Sequence, residues 1–273
     1  VRLFFVMGAP KSGTTWLQTI MNAHPQVSCF GEGHYVEQIV LPMQALLRHY
    51  NRKLTVVADA VYSGAPAYSP VGGEDAAVLI RHLVLGMIRR AKPKPQAIWW
   101  GDKTPAYSRH LPELDRLFPQ SRFIDIVRDP RDVAVSTLYH AARAGALTDI
   151  RNDTVRRREL IAHAMSRWTE HRANIARAAE PLGPRLLQVH YEELVTDPEP
   201  QLRRLYRHLE GVRVTDEILA ATMAACSFAA MSGGRQPGET DDRSFFRSGT
   251  TGQHETELTD PERTQIAEAL AGE

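Results

Sequence analysis

Short apolar runs alternate along the chain with longer segments in which apolar residues recur at helical spacing. The runs Leu3–Met7, Val27–Phe30, Ala97–Trp100, Phe123–Val127 and Leu186–Val189 read as buried strands. The intervening patterns predict helices over Thr14–Ala23, Glu37–Tyr50, Asp75–Arg90, Leu111–Phe118, Arg131–Arg143 and Val155–Ala179. Three more are predicted near Glu199–Leu209, Asp216–Ala225 and Pro261–Leu270, the last with Thr259 or Asp260 as its N-terminal cap. Buried strands joined by crossover helices imply an α/β fold: a central, mostly parallel sheet with helices on both faces. In the longest helix Ile161, Met165, Trp168, Ile175 and Ala179 share one face, which predicts a core-facing stripe. Val61–Gly73 and Ser232–Thr251 carry loop-forming residues. A structureless stretch as long as the second is usually functional, so it predicts a lid or a ligand clamp.

At 273 residues with 43% hydrophobic side chains, the chain is long enough to bury a full core as one domain over 1–273. A net charge of +1 excludes a bulk nucleic-acid binder while leaving room for a local anion site. Lysine is scarce, and two of the five, Lys11 and Lys103, fall in candidate site segments. Cys29 and Cys226 are too few for a disulfide framework or a zinc site and read as buried free thiols of a reducing, cytoplasmic compartment. No stretch approaches the roughly 20 apolar residues of a membrane span, and no signal peptide is visible. The chain begins at Val1; a removed N-terminal anchor or a longer parent protein is compatible with that start.

The first strand runs directly into Gly8-Ala9-Pro10-Lys11-Ser12-Gly13-Thr14-Thr15-Trp16. A strand, a glycine-spaced turn and a helix start build a nest of backbone N–H groups suited to a phosphate. The nucleoside-triphosphatase loop, G-x-x-x-x-G-K-[ST], places its lysine after the second glycine and a hydroxyl on Mg²⁺. Here Thr14 stands in the lysine's place and Lys11 has moved inside the loop. The word Pro10-Lys11-Ser12-Gly13-Thr14-Thr15-Trp16 resembles the loop of the sulfotransferases that use 3′-phosphoadenosine-5′-phosphosulfate (PAPS). That resemblance implies a P-loop-type nucleotide-binding fold, sulfuryl transfer without a metal, and release of 3′-phosphoadenosine-5′-phosphate (PAP). It also implies cofactor contacts from Pro10, Ser12, Gly13, Thr14, Thr15 and Trp16. A kinase-type loop is the alternative reading.

A second anion site is predicted where Phe123–Val127 ends in Arg128-Asp129-Pro130-Arg131-Asp132. Arg128 emerges at the strand's C-terminal end, where open α/β sheets bind ligands, and Ser136 lies two turns into the next helix. A guanidinium with a hydroxyl suits a dianionic phosphate. A helix-capping Asp129 with solvated arginines is the plain alternative, and a metal-holding Asp129 is the kinase one. The same resemblance implies that Arg128 and Ser136 hold the 3′-phosphate. Cys226-Ser227-Phe228 and Phe246-Arg247-Ser248-Gly249-Thr250-Thr251-Gly252 resemble the family's adenine and Arg-Lys-Gly segments. On that resemblance Ser227 and Phe228 meet the adenine, and Arg247, Ser248 and Gly249 the 3′-phosphate. Tyr191 resembles a tyrosine bordering the adenine. Ser248 replaces the family's lysine, and His254 stands where tryptophan is common.

In-line sulfuryl transfer needs donors on the leaving oxygen, donors on the sulfuryl oxygens and a base for the acceptor proton. Lys11 is the candidate for the leaving oxygen. Gly101-Asp102-Lys103-Thr104-Pro105 resembles the Lys-Thr-His word of the cytosolic sulfotransferases, whose histidine is the base. Pro105 removes that base, while Lys103 is assigned to the sulfuryl oxygens. Phe30-Gly31-Glu32-Gly33-His34 resembles instead the Gly-Glu word of tyrosylprotein-type and bacterial sulfotransferases, which implies Glu32 as base, with His34 the rival and His254 a third choice. The remaining histidines, His24 and His110 included, read as surface or satisfied core groups. The acceptor is not legible: a small phenol, a sugar, a lipid or a carrier-tethered intermediate all fit. Tyr35, Tyr62, Tyr68, Tyr107 and Tyr139 fall near predicted pocket loops. A P-loop kinase and a nucleotide-binding module without turnover are the competing functions.

Overall fold

The computed structural model describes residues 2–65 and 68–271; residues 66 and 67 of the predicted Val61–Gly73 loop lie outside the described residues. Five strands, β1 (Arg2–Gly8), β2 (Val27–Gly31), β3 (Trp99–Lys103), β4 (Arg122–Val127) and β5 (Leu186–His190), form one sheet. Its order is β2-β3-β1-β4-β5 and every pairing is parallel. The period-2 alternation of β1 divides the core: Leu3, Phe5 and Met7 face one layer, Phe4 and Val6 the other. On the first face pack α3 (Gly73–Arg90), through Ala77, Ile80, Val84 and Ile88, and α4 (Leu111–Leu117). On the second lie α1 (Thr14–Ala23), α8 (Pro198–His208) and α9 (Asp216–Ala225). A third cluster joins α5 (Pro130–Arg143), α6 (Thr154–Leu182) and α12 (Asp260–Ala271).

Three expectations are corrected. The third strand starts at Trp99 rather than Ala97 and runs on to Lys103, because Asp102 and Lys103 pair with Phe5 and Val6 of the central strand. Its polar end reads as loop in sequence but is inside the sheet. In α6 the core stripe passes through Ile161, Met165 and Ile175 and then Ala178 and Leu182, leaving Ala179 exposed. Trp168 is half-buried and donates its indole N–H to the Arg128 carbonyl at 3.1 Å. The helix predicted to stop at Tyr50 begins as a π-helical turn (Val36–Val40) and continues as α2 (Leu41–Val61), ending where Ser63 and Gly64 turn left-handed. Ala58 is the one buried residue of α2. Three short helices, α7 (Tyr191–Thr196), α10 (Phe228–Ser232) and α11 (His254–Glu257), complete the chain. Between the last two, no helix or strand forms in the described residues. That segment is organised instead by Arg235, which donates to the carbonyls of Glu239 and Arg247 and to Ser244 Oγ. Cys29 and Cys226 are free and buried.

Candidate active site

The chain leaves β1 at Gly8 and turns before α1 opens at Thr14. Lys11 and Gly13 both have left-handed backbone, with φ of 73° and 94°. At Gly13 a side chain would also meet the Tyr191 ring, 2.7 Å from the Cβ position, so glycine is required both for conformation and for space. No side chain caps the N-terminus of α1. Ser12 is fully buried and its hydroxyl has no hydrogen-bond partner. Buried polar groups are rarely left unpaired, so this loop presents unspent donors of the kind a phosphate takes. Burial pushes the Lys11 amine down to about 8, Arg143 adds to the shift and Glu32 opposes it.

The second predicted motif divides its labour. Asp129 accepts from the Arg131 N–H at 2.8 Å as the cap of α5 and holds the Arg131 guanidinium at 2.6 Å. Asp132 is buried and accepts from the N–H groups of Gly252 and His254, with the His254 ring 2.9 Å away. Arg128 instead turns to the loop. It donates to the Lys11 carbonyl at 3.1 Å, lies 4.3 Å over the Tyr191 ring and pairs loosely with Asp132 at 3.8 Å, while its Nε is buried without a partner. Asp129 is thus the structural cap, and Arg128 the cation with capacity left.

A cavity of about 1280 Å³ opens over this end of the sheet. Pro10, Lys11, Gly13, Thr14, Thr15 and Trp16 line it from the loop, and Arg128 and Ser136 from β4 and α5. Tyr191, Ser227 and Phe228 face it, with Trp16 fixed edge-on to Tyr191 and donating its indole N–H to the Cys226 carbonyl at 2.9 Å. Ser227 also caps α10, accepting from Ala230 N–H. Arg247, Ser248 and Gly249 close the same space. Gly249, at φ 67°, sits against the Phe228 ring, where a Cβ would collide. The Arg247 guanidinium is engaged: it stacks on Tyr139 at 3.8 Å and pairs with Glu257 at 3.2 Å.

Glu32 also lines the cavity, close enough to Lys11 for its charge to be felt there. Its Oε1 accepts from Lys103 Nζ at 2.5 Å and its Oε2 lies 3.4 Å from His34 Nε2. Lys103 is buried, and neither it nor His34 belongs to the cavity walls. Lys103 therefore orients Glu32 rather than standing open to a ligand. His254 is buried against Asp132, where it pins the residues after the 232–251 segment to α5. Of the five tyrosines singled out above, Tyr139 alone is a wall; Tyr35 and Tyr107 are core, while Tyr62 and Tyr68 are exposed. His24 is a satisfied core group bonded to the Arg213 carbonyl, and His110 pairs with Glu37.

Sequence reasoning misses Asp102. This buried carboxylate accepts from Gly33 N–H, Thr104 Oγ1 and Tyr107 OH at 3.1, 2.9 and 2.6 Å, fixing the turn that carries Glu32. Burial raises its pKa, against the pull of those hydrogen bonds. The available signal was an acid two residues after the apolar pair Trp99-Trp100, still within reach of the strand. Arg143, His140 and Phe245 are also walls without a sequence signature. Among the described residues no group of three or more His, Cys, Asp or Glu is placed to hold a metal ion.

A parallel α/β sheet with a glycine nest at the end of its central strand and a basic cavity beyond defines a phosphate-binding, nucleotide-site protein. A model of the sulfotransferase family matches residues 4–216, and the chain belongs to that family. Protein-tyrosine sulfotransferase 1 of Danio rerio is 26% identical over 211 residues, covering 76% of this chain and 52% of that protein. Protein-tyrosine sulfotransferase 2 of Gallus gallus is 26% identical over 223 residues, covering 80% and 53%. The chain thus spans about half the length of these curated relatives. The omega-hydroxy-beta-dihydromenaquinone-9 sulfotransferase of Mycobacterium tuberculosis is 34% identical over a shorter stretch of 108 residues, 39% of this chain and 27% of that protein. Among solved structures, mouse sulfotransferase SULT7A1 complexed with PAP superposes with a TM-score of 0.64 at 16% identity, covering 99% of this chain and 84% of that one. The sulfotransferase domain of the Synechococcus PCC 7002 olefin synthase gives 0.55 at 22%, covering 99% and 94%. Both share the fold, and family membership sets the kinase reading aside.

Proposed function

We propose that the chain transfers a sulfuryl group from PAPS to an acceptor hydroxyl. One observation carries this reading: Arg128, whose buried Nε is left unspent, shares one cavity with Glu32 and with the loop 8–16, whose own buried Ser12 hydroxyl lies behind the walls and is likewise unpaired. The loop N–H groups with Ser12, Thr14 and Thr15 would take the 5′-phosphosulfate. Arg128 and Ser136 would take the 3′-phosphate, joined by Ser248, the Gly249 N–H and Arg247 once it leaves its carboxylates. Trp16, Tyr191 and Phe228 would enclose the adenine, with Ser227 at its edge.

PAPS, when bound, supplies the sulfuryl group and a stable nucleotide phosphate as leaving group. Lys11 stabilises charge as it develops on the leaving oxygen. Glu32 accepts the acceptor's proton, held at the cavity wall by Lys103 and by the Asp102-bound turn. Relatives named for a protein tyrosine and for an omega-hydroxylated dihydromenaquinone both use hydroxyl acceptors, which favours O-transfer over N-transfer. A cytoplasmic location stays part of the proposal, on the two buried free thiols, and cell fractionation tests it.

The deciding experiment is a thermal melt with excess EDTA. At about 100 times its Kd, PAP should stabilise the fold by roughly 2.7 kcal/mol and raise Tm by roughly 5 °C or more. A shift with ATP and Mg²⁺ but none with PAP would sink both the sulfuryl reading and its independence of metal.

A further inference from the structure

The cavity is also lined by residues of α5 and α6, and every titratable group those helices supply to it, Tyr139 apart, is a basic one. His140 and Arg143 stand one turn apart on α5, and His163 and Arg167 one turn apart on α6. Among the described residues that wall the cavity, Glu32, already bound to Lys103, is the only carboxylate. Arg143 is held by neutral partners: it donates to the Ser244 carbonyl at 3.0 Å, rests 2.8 Å from His140 Nδ1, and lies 5.7 Å over the Phe245 ring. None of these cancels its charge. Glu170, one turn further along α6 from Arg167, is paired with Arg109 at 2.5 Å. Arg143 and Arg167 therefore line the cavity with no carboxylate bonded to either, Glu170 acting on Arg167 only through its field, and His140 and His163 stand beside them. Ala141, Ala144, Leu160 and Ala164 fill the wall between them with apolar surface.

The crowding is felt electrostatically. Burial lowers the His140 pKa, and Lys11 and Arg143 lower it further. Cations gathered without a counter-charge repel one another, and an anion entering among them relieves that repulsion. The nucleotide reading gives work to Lys11, Arg128 and Arg247 but none to these four.

We infer that the α5–α6 wall is a subsite for an anionic group of the acceptor, so that the molecule bringing its hydroxyl to Glu32 carries a carboxylate- or phosphate-type charge on an apolar body. The word acceptor rests on the sulfuryl-transfer reading; the anion subsite is read from the walls alone.

The test is an NMR titration of the protein, with and without saturating PAP, using hexanoate and 1-hexanol as matched probes. PAP fills the other anion sites, so binding to the complex reports this wall. Hexanoate should bind about tenfold or more tighter than hexanol, the size of one charge-assisted contact. The preference should shrink several-fold in Arg167→Gln and vanish in Arg143→Gln with Arg167→Gln, with PAP affinity kept. Equal binding of the two probes, no binding of either, or a preference unchanged in Arg167→Gln overturns the subsite. If PAP fails to bind, Arg128→Ala replaces it as the control. A surviving hexanoate preference then leaves the subsite standing while the sulfuryl-donor reading falls.

Discussion

At the proposed nucleotide side of the cavity, the loop at 8–16 and the turn at 128–136 are each one continuous piece of chain, and their donors include backbone N–H groups. At the proposed acceptor side the walls arrive separately: Glu32 after β2, Pro105 after β3, His140 and Arg143 from α5, His163 and Arg167 from α6. The first arrangement is written locally, because glycine conformation and strand ends dictate where the N–H groups point. The second exists only once helices distant in sequence have packed. A site of the first kind holds a constant ligand, whereas one of the second kind can change partner by single substitutions that leave the fold alone.

If the two ends do separate work, the base can be removed without loosening the nucleotide. Glu32→Gln should lose about 10²–10⁴ in kcat, the range for a positioned base, with PAP affinity intact. His34→Gln, which removes a residue outside the cavity walls, should be much milder. Rates and PAP titrations on both variants decide it. Should His34→Gln abolish turnover while Glu32→Gln keeps it, the base passes to His34.

The converse substitution acts at the other end. Arg128→Ala should weaken PAP by about 1.5–3 kcal/mol, the scale of a charged hydrogen-bonded contact. Adenosine-5′-phosphosulfate, which lacks the 3′-phosphate, should weaken much less. Calorimetry giving equal losses for both ligands would mean that Arg128 acts through the Lys11 carbonyl it supports, and the division of the motif would fall.

The smallest effect sharpens the boundary between the ends, where Lys11 sits. With its amine lowered to about 8, the ammonium is lost from the free protein as pH rises through that value. The profile of kcat/KM reports the free enzyme and should decline several-fold between roughly pH 8 and 9, while kcat holds to higher pH as the bound anion restores the proton. Parallel declines in both would place the limiting group elsewhere. The same sign governs stability: a lowered lysine makes the empty fold gain stability from pH 8 towards 10.5.

The sequence is a good guide where chemistry and local conformation coincide. Strand ends fall within a few residues of prediction, and Lys11, Arg128, Ser136, Tyr191 and Phe228 meet around one cavity, as the family resemblance of their motifs implies. It fails where a polar residue is buried by pairing, as with Asp102 and Lys103 inside β3. It fails too for His254, an exposed-looking histidine whose role is to anchor a segment through Asp132. The acceptor wall left no mark, because His163 and Arg167 on a long helix read the same whether they face water or a cavity.

The helix α2 has a thermodynamic consequence of its own. It is 21 residues long with a single buried side chain, and it displays Leu46 and Val61 at 65% and 64% exposure. With so little apolar surface removed from water, its backbone hydrogen bonds have almost nothing beyond themselves to resist opening. Hydrogen exchange will run through this arm by local unfolding, while β1, enclosed on both faces, exchanges only with the whole molecule. The protein therefore melts from its margin inward, and a gentle denaturant should strip the arm that leaves the Glu32 rim while the nucleotide end remains folded and able to bind.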